Sequence, residues 1–168
     1  MKREVSYGLY YGGFSILWLL VMYVTELNRS SSASYLNYVN LLVLAFFINQ
    51  FVKEIKLVSE GFISFSTIFK GGLLIGTIGG VISSIFFYVQ VKFIDTGYVR
   101  FVLDQAMIEM QKKGMGDEMI DMNMKMAAKW TTAEFFLLMG VVGSLFISSF
   151  VAVIMAFTMK KPNPNEIA

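Results

Sequence analysis

The chain has 168 residues, of which 56% are hydrophobic and 15% charged, and its formal net charge is only +2. Soluble domains usually have about 45–50% apolar and about 25% charged residues, and a domain this small cannot bury so large an apolar excess. The composition therefore predicts an integral membrane protein. The absence of Cys and His excludes disulfides, thiolate or imidazole metal sites and His-based acid–base catalysis. We expect no cofactor, and nothing in the charge pattern indicates nucleic acid binding.

Four segments are long and apolar enough to cross a hydrocarbon core, which takes about 20 helical residues. None contains a charged side chain, and each must be helical because lipid cannot satisfy an open backbone. The second is the least uniform, since Asn37 and Asn40 lie at one end and Asn49 and Gln50 at the other. The sequence predicts an all-α integral membrane protein with one membrane domain, residues 1–168, and transmembrane spans at about 7–25, 35–52, 71–91 and 135–159.

The basic residues predict the orientation of these spans. The flanks at 1–6, 53–70 and 160–168 hold seven basic and four acidic groups in 33 residues, whereas those at 26–34 and 92–134 hold seven basic and eight acidic groups in 52 residues. Both termini are therefore expected in the cytoplasm. Cleavage of a signal peptide at Ser31-Ser32-Ala33 is the alternative for the first segment. That segment is long for a signal, so we interpret it as an anchor.

Small residues recur every four positions in the third and fourth segments. Residues four apart share a helix face, and in lipid close backbone approach is the main source of attraction between helices. We predict that the two stripes pack against each other, with homo-oligomerisation or a docked partner helix as the alternative. The first segment adds the pair Gly8 and Gly12. The stripes are Gly72, Gly76, Gly80 and Ser84 in the third segment, and Gly140, Ser144, Ser148, Ala152 and Ala156 in the fourth.

The aromatic residues of the loop between the second and third segments predict an anchor in the membrane interface. Phe62, Phe65 and Phe69 recur there at helical spacing, with serines between them. The third helix could begin within this loop, near Ser64 or Ser66, which are suitable helix caps.

The segment at 92–134 is long for a loop and has a helical periodicity of its own. It predicts an amphipathic helical hairpin on the outer face, with a left-handed cap at Gly114 and an interfacial Trp130. Its second helix carries a methionine repeat that suits adaptable packing or a partner surface. A Cu(I) site is a weaker alternative without His or Cys. The acidic cluster Asp117, Glu118 and Asp121 suits a helix start better than a calcium site. The repeat consists of Met115, Met119, Met122 and Met126.

Three stretches of the chain resemble the domain-of-unknown-function family 4199: Gly61 through Ile75, Tyr88 through Asp95, and the Met-rich acidic helix ending near Trp130. The resemblance covers nearly the whole chain and implies a small four-helix inner-membrane protein, chiefly of Bacteroidota-type bacteria. It implies no established activity and no catalytic residues. It associates such proteins with membrane-bound polyprenyl-phosphate glycosyltransferases through gene neighbourhoods. Thr96-Gly97 stands where family members often have Pro, which should soften the exit from the third helix.

These features favour a non-enzymatic scaffold or accessory subunit that has a protein partner or self-associates. The reason is that the chain has small-residue packing stripes but none of the intramembrane charges that pumps need. The alternative is a small carrier or flippase for a lipid-linked or neutral solute, which needs a polar groove past Thr77, Ser83 or Ser144. An enzyme acting through interfacial carboxylates such as Glu54 or Asp95 is a third hypothesis, but these residues have no diagnostic spacing.

A reporter enzyme fused to the C-terminus tests the orientation. Because the flanks at 53–70 and 160–168 are basic, we expect activity from a reporter that works in the cytoplasm and none from one that works only outside it. The reverse pattern would overturn the orientation.

Overall fold

The computed structural model describes residues 2–30, 33–36 and 38–163, which are almost entirely helical. No strand forms within these ranges, although an isolated antiparallel bridge joins Ile63 to Lys161. A 3-10 turn, Leu27–Arg29, follows the first helix, and a π-helical turn, Gln90–Ile94, extends the fourth. The all-α class is therefore confirmed. The helices are α1 (Arg3–Val24), α2 (Ala33–Leu36), α3 (Tyr38–Val58), α4 (Phe65–Val89), α5 (Tyr98–Lys112), α6 (Asp117–Trp130) and α7 (Ala133–Met159).

Three helical segments of the described chain are long and apolar enough to cross a membrane: Arg3–Val24, Phe65–Ile94 and Ala133–Met159. These correspond to the first, third and fourth expected spans, and they indicate a membrane protein. α3, which corresponds to the second expected span, is a helix of 21 residues but is not among the three.

The helix boundaries differ most from the expected spans at the end of α3, which runs to Val58 rather than 52, and at the start of α4. α4 begins at Phe65, six residues before the expected start of its span. The Ser64 hydroxyl accepts a hydrogen bond from the Thr67 backbone N–H at 3.2 Å, which caps the first turn. At its other end α4 passes into the π-helical turn, and a turn at Thr96-Gly97 leads into α5. Ser31 and Ser32, part of the alternative cleavage site, lie outside the described residues.

The chain divides into two compact units: unit 1, residues 1–83 and 140–168, and unit 2, residues 84–139. The core of unit 1 contains fully buried side chains from α3 and α4, among them Leu44, Ile48, Phe51 and Ile75. Large apolar side chains cover much of its exterior; Phe146 and Phe150 of α7, for example, are 74% and 69% exposed. A buried core with so apolar an exterior is what a lipid-facing helical unit requires.

The long helices of unit 1 alternate in direction along the chain. α1 and α3 are antiparallel, since Arg3 and Tyr7 contact Glu54 whereas Ser15 contacts Asn40. The Arg3 Nε lies 2.8 Å from one Glu54 carboxylate oxygen, and the Tyr7 hydroxyl donates to the other at 3.0 Å. This pair of contacts ties the start of α1 to the last turns of α3.

Unit 2 contains α5 and α6, which pack against each other and are joined through Gly114, whose φ is +71°. A positive φ suits glycine because other residues have a Cβ that clashes there. An aromatic cluster of Phe87, Tyr98 and Phe136 packs with ring centroids 5.5–6.0 Å apart. The Lys92 ammonium donates to Glu134 at 2.7 Å, which ties the π-helical turn to the start of α7.

Replacing Glu54 by Gln tests the tie between α1 and α3. Because the Glu54 side chain is 41% exposed, we expect a loss of only about 0.5–1 kcal/mol in the free energy of unfolding. Thermal unfolding in detergent at low and high salt measures this loss. The stability difference between wild type and Glu54→Gln should shrink at high salt, because salt screens the Arg3–Glu54 pair. Glu60→Gln is the matched control. Equal effects from the two substitutions would contradict the role of Glu54.

Candidate functional site

The structure brings two of the small-residue stripes into direct contact within unit 1. A methyl group placed on Gly72 would lie 2.9 Å from the Cβ of Ala152, and one on Gly76 would lie 2.6 Å from the Cβ of Ser148. One on Gly80 would lie 2.6 Å from the Ser144 hydroxyl oxygen. Since real Cβ atoms essentially never approach within 3.0 Å, the backbones meet at a distance that only glycine permits. The descending numbers on α7 show that the two helices are antiparallel.

The remaining stripe residues continue along the same helices. Ala152 and Ala156 have no exposed surface, and Ser148 is 1% exposed. Gly140 is half-buried, and Ser84 is buried within unit 2.

A second close contact joins α4 to α1. A methyl group on Gly8 would lie 2.8 Å from the Cβ of Ile78, and one on Gly12 would lie 3.0 Å from the Cδ1 of Ile82. The Tyr11 ring fits against Gly79, where a methyl group would lie 3.0 Å from the ring Cε1. The numbers rise together on both helices, so α1 and α4 run in the same direction. Ile78 and Ile82 of α4 therefore pack directly against Gly8 and Gly12 of α1.

A third close contact joins α4 to α3 through Gly71. A methyl group there would lie 2.5 Å from the Cζ of Phe51, a side chain with no exposed surface. Sequence reasoning did not identify Gly71, Gly79, Tyr11 or Phe51 as packing residues. The pair of Gly-Gly dipeptides at 71–72 and 79–80 is a signal for Gly71 and Gly79, but nothing in the sequence indicates Tyr11 or Phe51 as their partners. Adjacent residues point about 100° apart around a helix, so each dipeptide serves two neighbours.

The hydroxyls in the helices mostly bond to their own backbone. Ser83 donates to the Gly80 carbonyl at 3.0 Å, and Ser144 donates to the Val141 carbonyl at 2.7 Å. The Ser15 hydroxyl lies 3.0 Å from the Tyr11 carbonyl and 3.3 Å from the Asn40 side-chain oxygen. The Thr77 hydroxyl oxygen is buried without a hydrogen-bond partner among the described residues. Local bonding of this kind satisfies a hydroxyl without requiring water inside the helix packing.

The predicted interfacial anchors lie at two places. Phe65 stacks on Phe69 with centroids 6.1 Å apart, and both rings are half-buried in unit 1. Phe62 precedes α4, and its ring centroid lies 5.4 Å from the Lys161 Nζ. Trp130 ends α6 in unit 2, is 60% exposed and packs against Phe135 at 5.6 Å.

The candidate partner surface on α6 is largely exposed. Met119, Met122 and Met126 are each more than half exposed, and Met115 just before the helix is partly buried. The buried position of α6 is Ile120 instead. Three exposed thioether side chains on one helix form an adaptable apolar surface.

A family model described as a protein of unknown function (DUF4199) matches residues 6–161. The match extends from the beginning of α1 to the residue that bridges Ile63. No curated protein and no solved structure matches the chain.

Substituting Gly76 by Ala tests the contact between α4 and α7. The added methyl group would overlap Ser148, and overpacking of this kind should lower the melting temperature by about 3–10 °C. Gly143→Ala is the matched control, since a methyl group at that α7 position meets nothing within 4 Å. Differential scanning fluorimetry in mild detergent measures both. The packing assignment fails if Gly143→Ala is as destabilising as Gly76→Ala.

Proposed function

The chain belongs to the DUF4199 family. We propose that it is a non-enzymatic inner-membrane protein that acts as a scaffold or accessory subunit of a membrane complex. The observation that carries the proposal is the three-sided packing of α4. The space beside the glycines of α4 is occupied by Phe51 of α3, Tyr11 of α1 and small residues of α7. Unit 1 is thus closed by side chains of its own chain, while its apolar exterior remains available to lipid or to another membrane protein.

We propose four spans, with α3 as the second. At about 1.5 Å per residue its 21 residues are about 30 Å long. The uncharged residues 38–52 supply about 22 Å of a hydrocarbon core of about 30 Å, and the charged last turns, from Lys53 onward, lie at the membrane surface. Two of its polar residues have partners on α1, since Ser15 contacts Asn40 and Arg3 contacts Glu54. The alternating directions of α1, α3, α4 and α7 support the same arrangement, because consecutive spans must cross in opposite directions. Both termini then lie in the cytoplasm.

In the proposed arrangement the segment 92–134 lies outside the cytoplasm. There α5 and α6 form the proposed amphipathic hairpin, with Trp130 at the membrane interface. The partner surface consists of Met115, Met119, Met122 and Met126, three of which are mostly exposed. A flexible, apolar methionine surface can adapt to a partner's shape or to lipid. The first partner class to test is a membrane enzyme acting on lipid-linked sugars, because of the gene-neighbourhood association implied by the resemblance.

The local bonding of the hydroxyls favours the accessory role over a carrier. Ser83 and Ser144 are engaged with carbonyls of their own helices, and Gly80 and Ser144 are in direct contact. A carrier for a neutral solute needs polar groups that line a continuous path across the membrane. Here the Ser83 and Ser144 hydroxyls bond to carbonyls of their own helices, and the Thr77 hydroxyl oxygen, which has no hydrogen-bond partner among the described residues, is buried.

Crosslinking in native membranes, followed by purification and mass spectrometry, tests the accessory role. We expect wild-type chain to capture a membrane protein or a second copy of itself, and the variant M119Q/M122Q/M126Q to capture it several-fold less, because polar side chains replace the apolar surface. The control variant Q105A/E109Q/K112Q changes three exposed positions of α5 and should retain the partner. A lone monomer from wild-type membranes would contradict the proposal.

A further inference from the structure

The end of α7 is fixed to the loop before α4 by a backbone bridge. The Ile63 N–H donates to the Lys161 carbonyl at 2.8 Å, and the Lys161 N–H donates to the Ile63 carbonyl at 2.9 Å. Ile63 is 4% exposed and belongs to the core of unit 1. The bridge therefore gives Lys161 a defined position directly after α7.

Four phenylalanines lie within a few residues of Ile63 or Lys161 in the sequence, and we call them the phenyl strip. Phe65 stacks on Phe69 and meets Phe157 edge-on, with centroids 5.0 Å apart. Phe157 is 62% exposed, so the strip is open to its surroundings. The phenyl strip consists of Phe62, Phe65, Phe69 and Phe157.

Two lysine ammoniums lie over rings of the phenyl strip. The Lys161 Nζ is 5.4 Å from the centroid of Phe62, and the Lys160 Nζ is 5.4 Å from the centroid of Phe157. These distances fall within the range of a cation–π contact. Both lysines are exposed, and neither forms an ion pair within the described part of the chain. Their positive charge is held beside the rings, and no carboxylate of the described residues 2–30, 33–36 and 38–163 forms an ion pair with it.

The same end of unit 1 carries further positive charge. Lys53 near the end of α3 and Lys70 in the second turn of α4 are exposed. The flanks at 1–6, 53–70 and 160–168 hold seven basic groups against four carboxylates, and one of these carboxylates, Glu54, is engaged by Arg3 and Tyr7. The electrostatic potential at this end therefore favours an anion.

We propose that Lys160, Lys161 and the phenyl strip bind the headgroup of an anionic phospholipid. The ammoniums supply the charge that a lipid phosphate requires, and the rings supply an apolar surface for the glycerol and upper acyl chain. The strip also adjoins the end of α7, an apolar helix long enough to cross a membrane, which is where a lipid headgroup lies. A free phosphate would leave the rings without a role. The proposal requires membrane insertion but is independent of the accessory role.

Native mass spectrometry of the purified full chain with phosphatidylglycerol or phosphatidylcholine of identical acyl chains tests the proposal. We expect tighter retention of phosphatidylglycerol by the wild-type chain. A basic residue near a lipid surface contributes about fivefold to binding, so K160Q/K161Q should weaken it by about tenfold or more. The control K112Q/K113Q removes the same charge from exposed positions at the end of α5 and should bind as wild type. Equal retention of the two lipids, or equal losses in both variants, would overturn the proposal.

Two further measurements distinguish a bound phospholipid from a bound inorganic anion. Millimolar inorganic phosphate should not displace phosphatidylglycerol, and displacement would assign the site to a free anion instead. The variant Phe157→Leu keeps both lysines and the backbone bridge, and it decides the matter if K160Q/K161Q does not fold. We expect it to weaken phosphatidylglycerol retention several-fold, since the ring beside Lys160 is lost. Unchanged retention by a folded Phe157→Leu would overturn the proposal.

Discussion

Close backbone approach along α4 is the constraint on which unit 1 depends. In lipid no hydrophobic force draws helices together, so attraction comes from dispersion between packed surfaces, and a gap of about 0.5–1 Å already forfeits a quarter to a half of it. At Gly72 and Gly76, α7 occupies the space that a Cβ would take. At Gly71 and Gly79, that space is occupied by the Phe51 ring of α3 and the Tyr11 ring of α1. Glycine weakens a helix in water by about 1 kcal/mol relative to alanine, and here the closer contact offsets that cost.

The same close packing explains where the polar groups of unit 1 lie and what they bond to. Closely packed helices leave no room for water, so a hydroxyl bonds to a carbonyl of its own helix, as Ser144 does with Val141. Charged groups are placed at the ends, where Arg3, Tyr7 and Glu54 join α1 to α3. The unit thus combines an uncharged interior, an apolar exterior and a basic end. That combination suits a protein that acts through its surfaces rather than through an internal path.

Much of the candidate site could be anticipated from spacing alone. The stripe from Gly72 to Gly80 and its counterpart from Ser144 to Ala152 are visible because a helix repeats its faces every four residues. The aromatic spacing of Phe65 and Phe69 is visible for the same reason. The contacts of Phe51 with Gly71 and of Tyr11 with Gly79 could not be anticipated. Each joins residues from separate helices, and nothing local specifies which ring enters which gap.

The class of this protein follows from its residues alone, which show an apolar excess that water cannot accommodate, segments that lipid requires to be helical, and small-residue faces on two of those helices. The folded structure is needed to identify which side chain packs against each glycine. It is also needed to see that Asn40 and Glu54 contact α1, and that Lys161 pairs with Ile63 through the backbone. The physical reason is the range of the forces. Hydropathy and helical periodicity are properties of contiguous residues, whereas dispersion contacts and hydrogen bonds between helices form only between atoms that the fold brings within a few ångströms.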